Sequence, residues 1–197
     1  MKNITSIRSF NGAYKIITKE EENIVISKET LIHTGLYKGM EISDEDWSQL
    51  FIEDQFYQAR GLALNYLKRR RTSGEIRNFL SGHDFPSECI DKVIHYLMEY
   101  GFINDQQYIR DFIHDQFLLN QNGPYKIKYQ LKRKDLDDDL IETGLAELNE
   151  EDIQSTLQKL IEKKYGAGPF NFKEKQKINR YLQNKGYPYS LISKEIF

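Results

Sequence analysis

One pattern is written three times in this 197-residue chain, at a constant spacing. The stretches TSGEIRNFLSGHDF, GPYKIKYQLKRKDL and EKQKINRYLQNKGY begin at residues 72, 123 and 174, which is a spacing of 51 residues both times. In each stretch an isoleucine is followed four residues later by a leucine, so both lie on one face of a helix. The pairs are Ile76 and Leu80, Ile127 and Leu131, and Ile178 and Leu182.

The alignment continues on both sides of these pairs. An apolar loop residue follows each pair and is predicted to re-enter the core, and the next helix is predicted to start at Pro86, Asp137 or Pro188. Upstream, YQARGLALNYLKRRR (57–71) aligns with YIRDFIHDQFLLNQN (108–122) without gaps. Each copy is therefore predicted to be a three-helix unit of about 50 residues, too thin to bury its own core fully, that gains burial by stacking on its neighbours.

The first 42 residues follow a different pattern. Three short runs rich in β-branched residues, with Asn11-Gly12 as a hairpin turn, predict a small three-stranded module, and KETLIHTG predicts a short helix that ends at Gly35. From Ser43, a cap with Asp46 three residues on, the apolar spacing becomes helical. The expected fold is mainly α, with tandem three-helix repeats forming an elongated curved array behind a small N-terminal β-rich module. The predicted domains are 1–42, 43–103 (a helical lead-in and repeat 1), 104–149 (repeat 2) and 150–197 (repeat 3).

No constellation of residues for catalysis or cofactor binding is found. The glycine-rich phosphate-binding motifs are absent, the four histidines are scattered, and DLDDDL is better explained as the acidic start of a helix. We therefore predict a protein that is not an enzyme and that has no cofactor and no bound metal. Cys89 is the single cysteine, expected to be buried, and it excludes a disulfide within the chain. With no apolar run of signal or membrane-spanning length, a cytoplasmic location is expected.

The positive finding is the placement of basic residues. The net charge is only −2, but cations recur at the same part of each repeat, with aromatic residues such as Tyr125, Tyr129 and Phe172 between them. Such a stripe can follow a phosphate backbone or an acidic groove on a protein, although each lysine alone is also compatible with an ordinary solvated helix face. The predicted contact set consists of Lys68, Arg69, Arg70, Arg71, Arg77, Lys126, Lys128, Lys132, Arg133, Lys134, Lys173, Lys175, Lys177 and Arg180.

These stretches resemble the RecX family. ALNYLKRRRTSGEIRNFL is similar to the family's first repeat, GFINDQQY to its inter-repeat junction, NGPYKIKYQLKRKDLDDDLI to its second repeat, and YLQNKGYPYSLI to the end of its third. The resemblance is strong over about 50–197 and weaker over 1–49, which is similar to the β-rich extension of Gram-positive members. The chain departs from the family's usual Lys-Gly at Lys134-Asp135 and at Gly82-His83-Asp84, which is expected to change loop details but not the fold.

The resemblance implies a regulatory protein that binds the filament of the RecA recombinase on DNA. Such a protein modulates ATP hydrolysis, strand exchange and filament growth in recombination, DNA repair and SOS control. It also implies that single- or double-stranded DNA is a further candidate ligand. A monomer with no membrane association is expected.

Two other functions stay open on the residues alone. A helical-repeat protein that binds DNA non-specifically would show salt-dependent binding to bare DNA and would need no recombinase. A passive helical scaffold for some other protein would bind DNA weakly and leave recombinase activity unchanged. The local charge favours the regulator and the DNA-binding protein over the scaffold, and the family resemblance selects the regulator.

Overall fold

The computed structural model of the chain describes residues 1–196, so Phe197, the last residue of the predicted third repeat, lies outside the described residues. The chain divides into two compact units. The first unit contains Met1–Arg71 and Ile76–Ile103. The second contains Thr72–Glu75 and the chain from Asn104 onward.

The N-terminal module is an antiparallel sheet followed by a short helix, as predicted. The strands are β1 (Lys2–Phe10), β2 (Ala13–Thr18), β3 (Asn23–Ile26) and β4 (Glu41–Ile42). They form one sheet in the order β3-β2-β1-β4, with four strands rather than the three predicted, because β4 pairs with Lys2-Asn3. Asn11 and Gly12 both have positive φ in the β1–β2 turn, which explains the Asn-Gly sequence.

A buried carboxylate holds the first two helices together. Helix α1 (Lys28–Thr34) begins at the cap Ser27, and α2 (Asp44–Tyr66) carries Asp54, which is only 4% exposed. Asp54 accepts hydrogen bonds from the Ser27 N–H (2.7 Å), the Thr30 hydroxyl (2.6 Å) and the Gln58 amide (2.6 Å). This carboxylate is the polar exception in the apolar spacing of α2, and three donors offset the cost of burying it.

The rest of the described chain is helical, in groups of three that match the repeats. Helix α5 (Asp105–His114) ends in a π-helical turn, Asp115–Leu119, which the sequence did not predict. After α2 the helices are α3 (Ser73–Ser81), α4 (Ser87–Glu99), α5 (Asp105–His114), α6 (Pro124–Lys132), α7 (Asp138–Ala146), α8 (Glu150–Tyr165), α9 (Phe172–Asn184) and α10 (Tyr189–Ile196).

The aligned apolar positions form the repeat cores, which confirms the helix-face prediction. The three isoleucines and three leucines of the pattern have no exposed surface in any copy. The later isoleucines Ile90, Ile141 and Ile192 are at most 2% exposed. Of the apolar loop residues, Tyr187 is 1% and Leu136 8% exposed, whereas Phe85 is half-buried.

The turn between the second and third helices repeats its backbone conformation as well. Asp84, Asp135 and Gly186, each 51 residues apart, all have positive φ (60°, 50° and 88°). This is the left-handed conformation that glycine adopts freely and that Asp tolerates better than most residues. The two departures from Lys-Gly therefore leave the positive φ of this turn in place, and the fold is unchanged, as expected.

Among residues 1–196, none of the helices combines the length and the apolar character that a membrane crossing requires.

Candidate partner-binding surface

In the first unit, the predicted basic cluster follows α2. The side chains of Lys68, Arg69 and Arg70 are exposed beyond the end of that helix. Arg71 is half-buried instead, with its guanidinium 4.3 Å from the centre of the Tyr66 ring, an arrangement that favours a cation–π interaction. Arg77 on α3 forms an ion pair with Asp91 on α4 (2.6 Å). Arg71 and Arg77 therefore already have structural contacts.

In the second unit, the basic side chains of α6 divide in the same way. Lys128 pairs with Glu142, a hydrogen bond that raises the pKa of the lysine, and Lys132 pairs with Asp138 at 2.8 Å. Lys134, just after α6, pairs with Glu75 at 2.7 Å. These three lysines join neighbouring elements, which is a structural role.

A different face of α6 carries unpaired groups. Tyr125, Tyr129 and Arg133 lie four residues apart and share one face, and Lys126 lies beside them. The two tyrosines are more than 60% exposed. Within residues 1–196 the side chains of Lys126 and Arg133 make neither a hydrogen bond nor an ion pair. We call these four residues the α6 stripe.

Helix α9 has a corresponding exposed face. Lys173, Lys177 and Arg180 are spaced as i, i+4 and i+7, so they form one line along the helix, with the exposed ring of Phe172 at its start. None of these three cations has a hydrogen bond or an ion pair in the described part of the chain. Lys175 is half-buried and lies on a different face of the helix from these three cations. We call Phe172, Lys173, Lys177 and Arg180 the α9 stripe.

Two equivalent contacts, which we call joints, position these helices inside the second unit. In each joint, the start of one repeat's second helix packs on a turn of the next repeat. At the first joint, the segment 72–75 packs on the turn 134–135. The Thr72 hydroxyl donates to the Lys134 carbonyl (2.8 Å), and the Ser73 N–H donates to the buried carboxylate of Asp105 (2.9 Å). A Cβ on Gly74 would lie 2.1 Å from the Asp135 carbonyl oxygen, so only glycine fits there.

The second joint lies 51 residues further along both segments. The Gly123 N–H donates to the Lys185 carbonyl (2.7 Å), and the Tyr125 N–H donates to the Gly186 carbonyl (3.0 Å). A Cβ on Gly186 would lie 2.3 Å from the Lys126 nitrogen. The joint thus fixes the start of α6, and with it the orientation of the α6 stripe.

The second joint also collects positive charge. The Lys185 ammonium donates to the Asn120 carbonyl (2.9 Å), and its pKa is lowered by burial and then by the nearby Lys126 and Lys164. Lys164 lies over the Tyr181 ring at 3.4 Å from the centre. The predicted contact set omits Lys164 and Lys185, although Lys185 lies 51 residues after Lys134, which the set includes. Counting 51 residues on from Lys134 would have identified Lys185 from the sequence.

No group of three or more His, Cys, Asp or Glu side chains within residues 1–196 is arranged to hold a metal ion. The single cysteine, Cys89, is buried, as expected, and burial raises the pKa of its thiol.

Two models of one protein family match the second and third repeats of this chain. Residues 104–145 match the second three-helix domain of RecX, and residues 150–196 match the third. A regulatory protein RecX from Lactococcus lactis subsp. lactis is 34% identical over 202 residues, which covers 98% of this chain and 75% of the relative. One from Streptococcus gordonii is 29% identical over 188 residues, covering 95% and 73%.

Solved structures agree with these matches. A crystal structure of regulatory protein RecX superposes with a TM-score of 0.73 over 98% of both chains, at 23% identity, and so shows the same fold. The crystal structure of RecX from Lactobacillus salivarius has a TM-score of 0.64 and 25% identity, covering 72% of this chain and 94% of that one.

Proposed function

Because this chain belongs to the RecX family of regulatory proteins, we propose that it binds the RecA–DNA filament and modulates its activity. The regulated steps are ATP hydrolysis, strand exchange and filament growth, in recombination, repair and SOS control. The site of action is the cytoplasm, where the filament forms, and the protein acts as a monomer.

The observation that carries this proposal is the pair of unpaired stripes on α6 and α9. Lys126, Arg133, Lys173, Lys177 and Arg180 have no partner within residues 1–196, so binding an acidic surface requires no intramolecular ion pair to break. Each stripe lies on a helix, so its side chains start from a fixed spacing and lose less freedom on binding. Lys128, Lys132 and Lys134 are already paired and are assigned to structure instead.

The test is DNA-dependent ATP hydrolysis by the cognate RecA on single-stranded DNA, with this protein titrated from well below one copy per recombinase protomer. We expect inhibition at substoichiometric amounts. The charge-reversed variant K173E/K177E/R180E is expected to need roughly tenfold more protein for the same inhibition, since each lost contact costs about 0.5 kcal/mol or more.

A matched control reverses three exposed lysines outside the stripes, in the variant K19E/K38E/K159E. It changes the net charge by the same amount and is expected to inhibit like the wild type. Equal inhibition by the stripe variant and the wild type would remove the α9 stripe from the proposal.

The second candidate is DNA binding that does not depend on a recombinase. It is favoured by the exposed rings of Tyr125 and Tyr129 beside free cations, because unstacked bases bind aromatic rings while cations hold the phosphates. Binding to bare single-stranded DNA that falls steeply with salt, without inhibition of ATP hydrolysis, would select this function.

A further inference from the structure

The first unit contains an open groove with a volume of about 870 Å³. Its walls are the end of α1, the strand β4, the first half of α2 and the start of α4, all within the first unit. None of the fourteen basic residues of the predicted contact set lines it.

The floor of the groove is apolar and partly uncovered. Leu36, Ile42 and Leu50 line it from the buried side, while Phe51 and Ile52 on α2 are 58% and 44% exposed. Three consecutive apolar residues on a helix point in directions about 100° apart. The sheet buries Leu50 and leaves the other two in the groove. Adjacent exposed apolar side chains at the bottom of a concave surface are typical of a binding site.

The rim of the groove is acidic. Glu41, Asp46, Glu53 and Glu88 line it, against a single lysine, Lys92. Within residues 1–196 none of these four carboxylates forms an ion pair. In a concave site the negative potentials of the four carboxylates add together. Because the rim is negative and the floor is apolar, the groove favours a ligand whose apolar centre is surrounded by positive charge.

We propose that this groove, the acidic groove, binds an amphipathic helix of a partner protein. One face of the helix has apolar side chains that cover Phe51 and Ile52, and lysines or arginines flank that face and meet the four carboxylates. An apolar face set into an apolar groove is a common way for a helix to be recognised, and the rim charge sets its specificity. This surface is additional to the stripes, so it goes beyond the proposed function.

The direct test uses a fluorescein-labelled 18-residue designed helix with leucines at i, i+3, i+4 and i+7 and lysines between them, and measures binding to the full chain by anisotropy. One control peptide keeps the leucine spacing but replaces every lysine with glutamate. A second has the leucine–lysine composition in alternating order, which gives no apolar helix face. We expect binding of the first peptide only.

Variants of the chain locate the binding. Phe51→Ala is expected to weaken binding about tenfold, as for a central aromatic contact. Tyr189→Ala, which removes an aromatic side chain of nearly equal exposure (56%) in the second unit, is its control and is expected to leave peptide binding unchanged. The variant E41Q/E53Q is expected to weaken binding about fivefold at low salt, whereas E20Q/E99Q, two exposed carboxylates outside the groove, should not.

Several results would overturn the proposal. They are no binding up to about 1 mM peptide, equal binding of the glutamate peptide, or wild-type affinity of Phe51→Ala. A concentration-dependent dimer in sedimentation that Phe51→Ala abolishes would also overturn it, because the occupant would then be a second copy of this chain.

Discussion

The two joints of the second unit bring the same repeat positions together through different contacts. In both, the start of a repeat's second helix packs on the turn of the next repeat, with contacts shifted by 51 residues. At the first joint Glu75 pairs with Lys134. At the second, the residues in those two positions are Lys126 and Lys185, so like charges meet.

This difference shows that the repeat preserves which positions meet, and does not preserve the charge pairing between them. The first joint adds the carboxylates of Glu75 and Asp105 to hold its segment. The second replaces them with two glycines whose backbones approach closely, Gly123 and Gly186. We expect the first joint to be sensitive to the loss of hydrogen bonds as well as to a side chain added at Gly74, and the second to be sensitive mainly to added side-chain atoms.

The largest effect is expected from Gly186→Ala. The new Cβ would meet the Lys126 nitrogen at 2.3 Å, and the residue has a φ of +88°. We expect a loss of about 3 kcal/mol or more in the free energy of unfolding, from strain plus a backbone shift. Urea denaturation measures this loss, and amide exchange at Tyr125, whose N–H bonds to Gly186, locates it.

Gly39→Ala is the matched control for that variant. Gly39 has nearly the same φ, +91°, with nothing within 4 Å of an added Cβ. It should lose only about 1 kcal/mol, which is the conformational cost alone. Equal losses in the two variants would show that the close approach at the second joint contributes nothing.

The next largest effect is expected from Asp105→Ala at the first joint. This buried carboxylate accepts hydrogen bonds from the N–H and the hydroxyl of Ser73, and its loss leaves these partly buried donors unpaired. We expect a loss of about 2 kcal/mol, against about 1 kcal/mol for Ser73→Ala, which removes only the hydroxyl. If Asp105→Ala unfolds at the wild-type urea concentration, the first joint is held by backbone packing, like the second.

Lys126→Glu should give the second joint the ion pair of the first. We expect a gain of about 0.5 kcal/mol near neutral pH, as for an exposed pair. The folded-state pKa of Lys185 lies below its ordinary value, so its penalty is complete below that lowered pKa and disappears as the pH rises toward 10.5. The advantage of the variant should therefore shrink between pH 7 and pH 10.5, which stability curves at several pH values would measure.

The smallest effect is expected from Asp84→Gly. Asp84 occupies the same turn position as Gly186, but its exposed side chain makes no hydrogen bond or ion pair within residues 1–196. Glycine relieves the strain of the positive φ, which stabilises the folded state, but it also gives the unfolded chain more conformational freedom, which destabilises the fold. The two effects should nearly cancel, so the free energy of unfolding from urea denaturation should change by less than about 0.5 kcal/mol. A larger change would mean that this turn carries a constraint of its own.

The sequence predicts what depends on local spacing. The i, i+4 pairs place Ile127 and Leu131 in the core, and the caps Ser43 and Asp137 start α2 and α7 as expected. Asn11-Gly12 predicts the hairpin because both residues need positive φ. The short strand β4 has only two residues and no alternation to detect, which is why it was missed.

What depends on distant partners could not be predicted. The joint contacts join residues about 60 positions apart, such as Thr72 and Lys134, and their chemistry differs between copies. Which basic side chains are paired and which are unpaired also depends on distant partners. Lys128 is paired because α7 brings Glu142 to it, whereas no carboxylate within residues 1–196 forms an ion pair with Lys126. The sequence therefore locates a basic surface, and the tertiary structure separates its free cations from its structural ones.

Asp54 has a consequence for how this chain can be cut or recombined. Two of its three hydrogen-bond donors come from residues 27–30, in the N-terminal module. A truncated chain that starts at α2 would leave this carboxylate with only the Gln58 donor, on a helix face that is otherwise buried. Replacing the N-terminal module with that of another protein would therefore remove two hydrogen bonds to Asp54. A transplanted module would have to supply two donors in the same place, or the acceptor would have to change with it.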